Sequence, residues 1–81
     1  IVDERRRVVA ALQDVGFSPA ESEANFLWLE LGSDTAAFAA ACEEQSLSVR
    51  PFAGDGVRIT IGSAAANDRL VSVAANWLAT R

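Results

Sequence analysis

Lysine, methionine, histidine and tyrosine are all missing from this 81-residue chain. Without lysine there is no side-chain amine for a Schiff base, and without histidine the commonest general base and metal ligand is gone. A self-contained enzyme is not expected from such a set. The absent methionine removes the initiator residue, which predicts a piece of a longer translation product whose function lies in the parent. The single cysteine, Cys42, can form no internal disulfide and fits a reducing compartment, the cytoplasm by default. No apolar run approaches the ~18–20 residues that cross a bilayer, and Ile1 to Arg7 has no hydrophobic region of the signal-peptide type. Cations are also scarce: seven arginines stand against eleven carboxylates, for a net charge of −4. An acidic surface without tyrosine or lysine argues against nucleic-acid binding, which wants a basic stripe interleaved with stacking aromatics.

What is present suffices for one small domain, burying ~60–65% of the surface of its unfolded chain. Val8, Leu12 and Val15, with Ala11 beside them, lie on one face of a helix predicted from Ile1 to Val15 and stopped by Gly16. Asp3 is placed to pair with Arg7 one turn on, and Glu4-Arg5-Arg6-Arg7 reads as a solvated face. After Phe17-Ser18-Pro19 and a polar stretch through Glu23, Asn25 to Leu31 reads as a strand. Leu27, Leu29 and Leu31 share one of its faces, Phe26, Trp28 and Glu30 the other. Bulk on both faces suggests cover on both, either by a domain outside this sequence or by local loops.

Gly32-Ser33-Asp34 then turns into a helix from Thr35 to about Gln45, capped by Asp34 or Ser33, with Phe38, Ala41, Cys42 and Gln45 as its inner stripe. Cys42 is expected to be a small core residue, and Glu43-Glu44 to face water. Leu47 to Arg50 is predicted as a short strand whose hydrogen bonding ends at Pro51. A flexible connection, Phe52 to Gly56, leads into Val57-Arg58-Ile59-Thr60-Ile61, where Val57, Ile59 and Ile61 face inward. Gly62-Ser63 caps a last helix with Leu70, Val73, Ala74 and Trp77 as its stripe. The order helix, strand, helix, strand, strand, helix predicts an α+β two-layer sandwich, a small sheet with helices packed on one face.

Chemistry concentrates at Arg50 and Arg58, which flank one loop. In an antiparallel hairpin their guanidinium groups would project near one another and form an anion site, since the planar fork matches a carboxylate or phosphate with two parallel hydrogen bonds. The plainer reading keeps them solvated at a sheet edge or paired with Asp55. No metal-ligand spacing, nucleophile-base pair or phosphate-cradling glycine motif occurs, and Gly54-Asp55-Gly56 lacks the setting of a dinucleotide fingerprint.

At Asn25-Phe26, Val49-Arg50-Pro51-Phe52 and Gly56-Val57-Arg58-Ile59-Thr60-Ile61-Gly62 the chain resembles the C-terminal small domain of fold type I pyridoxal-phosphate aminotransferases, in the histidinol-phosphate and aromatic (phenylalanine) branch. The resemblance runs from Glu4-Arg5-Arg6-Arg7 through Ala24-Asn25-Phe26-Leu27-Trp28-Leu29 to Asn67-Asp68. Trp28 with Leu31-Gly32, and Asp55-Gly56-Val57-Arg58, look closest to the aromatic members, with histidinol-phosphate members close behind.

The resemblance implies that residues 1–81 are the small domain of a cytoplasmic homodimer that moves an amino group between an amino acid and a 2-oxo acid. Its pyridoxal phosphate would be held mainly by a large domain outside this sequence. Arg58 matches the arginine that grips the substrate's α-carboxylate, or the phosphate of histidinol phosphate. Arg50 matches a second arginine near the anionic end, and Asn25 a position at the edge of the cleft. Ser63-Ala64-Ala65-Ala66 departs from the pattern in lacking acidic residues, which bears on the helix cap rather than the site. The family's Schiff-base lysine has no counterpart here, so no catalytic or cofactor-binding residue is expected in this chain. Phe26 and Trp28 become the surface facing the large domain. The competing reading is a stand-alone α+β module binding a small anion or a partner protein. The gene upstream of Ile1 discriminates: several hundred residues including a lysine favour the enzyme, an immediate start codon the module.

Overall fold

A computed structural model describes residues 2–20 and 25–80 of the chain. Helix α1 spans Val2–Val15, strand β1 Phe26–Glu30, helix α2 Thr35–Glu44, strands β2 and β3 Val49–Phe52 and Gly56–Thr60, and helix α3 Ala64–Thr80. The predicted order and two-layer α+β class are observed. The strands form an antiparallel sheet in the order β1-β3-β2, so β3 is central. The expectations for Ile1 and for residues 21–24 lie outside the described residues.

Period-two alternation sends Leu27, Leu29, Val57, Ile59 and Ile61 to one side of the sheet, where they are buried against Val8, Leu12, Phe38, Cys42, Leu70, Val73 and Ala74 of the helices. Phe17, Phe38 and Trp77 close one end of this core, with ring centroids 5.4–6.3 Å apart. Burial pushes the Cys42 thiol up to about 11, which keeps it protonated and inert, in keeping with a small core residue.

Helix α1 stops where expected, through a specific device. Gly16 sits at φ +113°, its N–H donating to the Gln13 carbonyl while Phe17 N–H reaches back to Leu12. This is the Schellman pattern, and the positive φ is why glycine stands there.

Four local expectations are corrected. Asp34 makes no side-chain capping bond at α2. The chain instead winds through a 3₁₀ turn, Gly32–Asp34, whose carbonyls take the first amides, and Thr35 Oγ1 donates to the Gly32 carbonyl at 2.7 Å. The inner stripe of α2 includes Thr35 and Ala39 in addition to Phe38 and Cys42, while Gln45 is exposed. Strand β2 does not end at Pro51 but runs through it to Phe52, because β2 is an edge strand and an outward-facing proline nitrogen removes no ladder bond. Finally, Arg7 bonds Glu4 rather than Asp3, through Nε to Oε1 at 2.7 Å and Nη2 to Oε2 at 3.0 Å.

The choice of Glu4 follows from what lies across from it. Asn67, only 2% exposed, donates to Glu4 Oε2 at 2.9 Å and to the Gly62 carbonyl, and accepts from Gly62 N–H. Arg7 Nη1 meets Asp68 Oδ1 at 2.8 Å. The cluster ties the first turn of α1 to the start of α3, where Ser63 Oγ accepts from Ala66 N–H as the expected cap.

Candidate functional site

The helices leave the second face of the sheet uncovered by any described element, and the residues of interest are on it. Arg58 is the midpoint of the central strand, opposite Trp28 on one side and Arg50 on the other. Two arginines directly across a ladder repel, so such a pairing carries a cost unless each charge is accommodated. The structure accommodates them separately. The Arg58 guanidinium carbon lies over the Phe26 ring, 5.2 Å from its centroid, and that of Arg50 over Phe52 at 5.6 Å. The expected convergence of the two head groups at the loop end is therefore replaced by divergence along the face. Among the described residues neither arginine has a carboxylate partner, and the alternative pairing with Asp55 is not made.

Asp55 has a different task. Its carbonyl accepts from the N–H groups of both Leu31 and Gly32 at 3.1 Å, binding the β2–β3 turn to the end of β1. Gly56 lets the sheet close beside this turn. A Cβ there would stand 2.2 Å from the Leu29 carbonyl oxygen and 2.8 Å from the Trp28 ring. The space it leaves allows Trp28 and Phe52, on the two outer strands, to meet edge to face across the central strand at 5.6 Å.

Phe52, expected in a flexible connection, lies instead on this face, against Arg50 and Trp28. Among the described residues it is the large apolar side chain left most exposed, at 38%. The signal was available, since Arg50 and Phe52 are two residues apart and share a face in any strand that continues through Pro51. Asn25, placed by resemblance at a cleft edge, spends its side chain locally: Nδ2 donates to the Ile61 carbonyl at 3.2 Å while its own carbonyl accepts from Ile61 N–H. It extends the β1–β3 pairing by one residue and so fixes where Phe26 lies relative to Arg58.

Chemically, the face offers two cations on aromatic rings, in a setting drier than bulk water around the half-buried Arg58 and open around Arg50. A guanidinium held by its face keeps its in-plane donors for an anion. Such an arrangement is suited to recognising an anion flanked by apolar surface.

The chain is similar to known proteins over most of its length. The family model described as aminotransferase class I and II matches residues 1–73. Among curated proteins, the aromatic amino acid aminotransferase of Thermobifida fusca is 54% identical over 76 residues, covering 94% of this chain and 21% of that protein. Those of Streptomyces avermitilis and Mycolicibacterium paratuberculosis are 53% and 52% identical, covering 90% and 98% of this chain and 20% and 22% of theirs. A solved structure from Burkholderia pseudomallei, described provisionally as an aminotransferase, superposes with a TM-score of 0.82 at 31% identity, over 93% of this chain and 24% of its own. The chain thus spans about a fifth of the length of the curated relatives it matches.

Proposed function

Because the chain belongs to the class I and II aminotransferase family, we propose that residues 1–81 form the substrate-gripping small domain of a longer pyridoxal-phosphate-dependent aminotransferase. Its parent transfers an amino group between an aromatic amino acid and a 2-oxo acid. The aromatic preference rests on the names of the relatives matched at 52–54% identity, and it takes precedence over histidinol phosphate. The observation that carries the reading is Arg58: a guanidinium at the centre of the uncovered sheet face, with no carboxylate partner among the described residues. Its role is to bind the substrate carboxylate through two parallel hydrogen bonds and so to orient the amino acid. Arg50, one strand further out and exposed, is the second cation of the site and adds to the field that attracts the anion.

The cofactor does not fit the residues present here. The chain contains no lysine, so an imine cannot form on any of its side chains. We place that lysine, and most of the cofactor's seat, in the part of the parent outside residues 1–81, and assign these residues no step through the cofactor. The Phe26 and Trp28 face then lies toward the large domain, with the substrate between them, in a parent that is a cytoplasmic homodimer. No helix among the described residues is long and apolar enough to cross a membrane.

The test is Arg58→Ala in the full-length parent. The visible absorbance of the bound cofactor should be unchanged while KM for the amino acid rises steeply, the loss of a desolvated charge pair being worth about 2–5 kcal/mol in kcat/KM. An unchanged KM would overturn the proposal.

A further inference from the structure

We infer that Phe26 is a positioning residue for Arg58, its ring serving as the platform that holds the guanidinium in the orientation that receives the carboxylate. The inference rests on the preceding assignment of Arg58 and extends it to a residue outside the anion contact itself.

Phe26 opens β1 and is paired with Thr60, two residues beyond Arg58 on the neighbouring strand. It is therefore diagonal to Arg58 on the same sheet face, a separation that a long side chain can bridge. The bridge is made, with the guanidinium carbon 5.2 Å from the ring centroid. Trp28 is the directly opposite neighbour, but its ring is engaged with Phe52 over Gly56. Arg58 thus leans toward one aromatic residue while the other is held away from it.

An arginine has four side-chain torsions, and an arginine without a partner on an open face would sample many of them at an entropic cost to any ligand that fixed it. Contact with the ring restricts that sampling before the ligand arrives. It does so without consuming what the ligand needs, because cation–π attraction uses the face of the guanidinium whereas a carboxylate is bound at its edge. Among the described residues, Arg58 makes no hydrogen bond that would compete for those donors.

The platform is itself anchored. Asn25 immediately before Phe26 is bonded through both side chain and backbone to Ile61, and Leu27 immediately after it is fully buried. The ring consequently has a fixed origin on the sheet. This gives the Asn25-Phe26 pair, conspicuous in the sequence, a joint purpose: the first residue sets the register and the second sets the arginine.

The experiment uses the full-length parent loaded with its cofactor. Phe26→Leu should raise KM for the amino acid about 5- to 30-fold, the span a partly desolvated cation–π contact represents, with kcat at saturation nearly unchanged. Phe26→Tyr, which keeps a ring, should restore most of the loss. A trifluorinated phenylalanine at position 26 preserves shape while draining the ring face of negative potential, and should raise KM in the same direction. That arm also serves should Phe26→Leu fail to fold. If the fluorinated ring leaves KM as in the wild type while Arg58→Ala raises it, the platform is wrong and the carboxylate site stands. A fall in KM on ring removal or fluorination would show a parked arginine that the ring holds back, and would equally overturn the inference. If Arg58→Ala itself leaves KM unaltered, the failure belongs to the carboxylate assignment.

Discussion

Two arginines of this chain meet opposite surroundings. Arg7 is closed in by Glu4 and Asp68, with Asn67 completing the shell around Glu4. Arg58 is given a ring and, among the described residues, no acid. The cation that binds two parts of the fold is neutralised on the spot, and the one we propose for an outside anion is supported without being neutralised. The same contrast separates Glu4 and Arg7, in the densest charge of the sequence and tied to α3, from Arg58, the single charge of an otherwise uncharged strand.

Substitutions can break this contrast from either side. The largest structural effect is expected at the sheet itself. Gly56→Ala forces a methyl group against the Leu29 carbonyl and the Trp28 ring, which should cost about 3 kcal/mol of stability, the upper end of typical overpacking. Thermal unfolding reads the loss directly, and a change of less than about 1 kcal/mol would mean that the strands part easily and that Trp28 and Phe52 do not depend on the gap.

Next comes the tie between α1 and α3. Asn67→Ala leaves Gly62 N–H and carbonyl without their partner and should destabilise by about 2 kcal/mol, with KM for the amino acid little altered. A KM effect equal to that of Arg58→Ala would show that the two regions are not separable.

The pH response belongs to the same side. Bonds from Arg7 first and Asn67 second lower Glu4 from 4.5 to about 2. A carboxyl depressed in the folded state contributes stability that is present above its unfolded value and is lost as pH falls from about 4.5 toward about 2. Glu4→Gln should therefore flatten the acid limb of the stability profile in that window. A limb identical to the wild type would assign it to other carboxylates. The smallest effect is expected from Arg7→Ala, since the pair is partly exposed and screened by water: a barely lowered midpoint of thermal unfolding, where a drop as large as that of Asn67→Ala would contradict the ranking.

How much of this could be read from the sequence depended on the range of the interaction responsible. Val57, Ile59 and Ile61 declared the inward face of β3 because alternation is a local property, and Leu70, Val73 and Ala74 did the same for α3. Phe26 and Trp28 stood out correctly as bulk on a second face, but the pattern offered only burial as their purpose, not support of a guanidinium. Pro51 misled because its tolerance depends on strand order, which places β2 at the edge only after the whole sheet is assembled. Asn67 belongs to the stretch that carries the resemblance, but nothing local assigns it a role. It is one asparagine among helix residues, and its partner Glu4 is 63 positions away. Arg50 and Arg58 draw attention in the sequence because they flank one loop. Their divergence does not, because it follows from which ring lies within reach of each.

The contrast between the two arginines is tested most directly by the dissociation constant of phenylpropionate, an aromatic carboxylate without the reacting amine, measured on the full-length parent by calorimetry. Arg58→Ala should weaken binding at least about 30-fold, and Arg7→Ala should leave it within about twofold of the wild type. Equal affinity in the wild type and in Arg58→Ala would contradict the reading that Arg58 is the cation kept for the substrate.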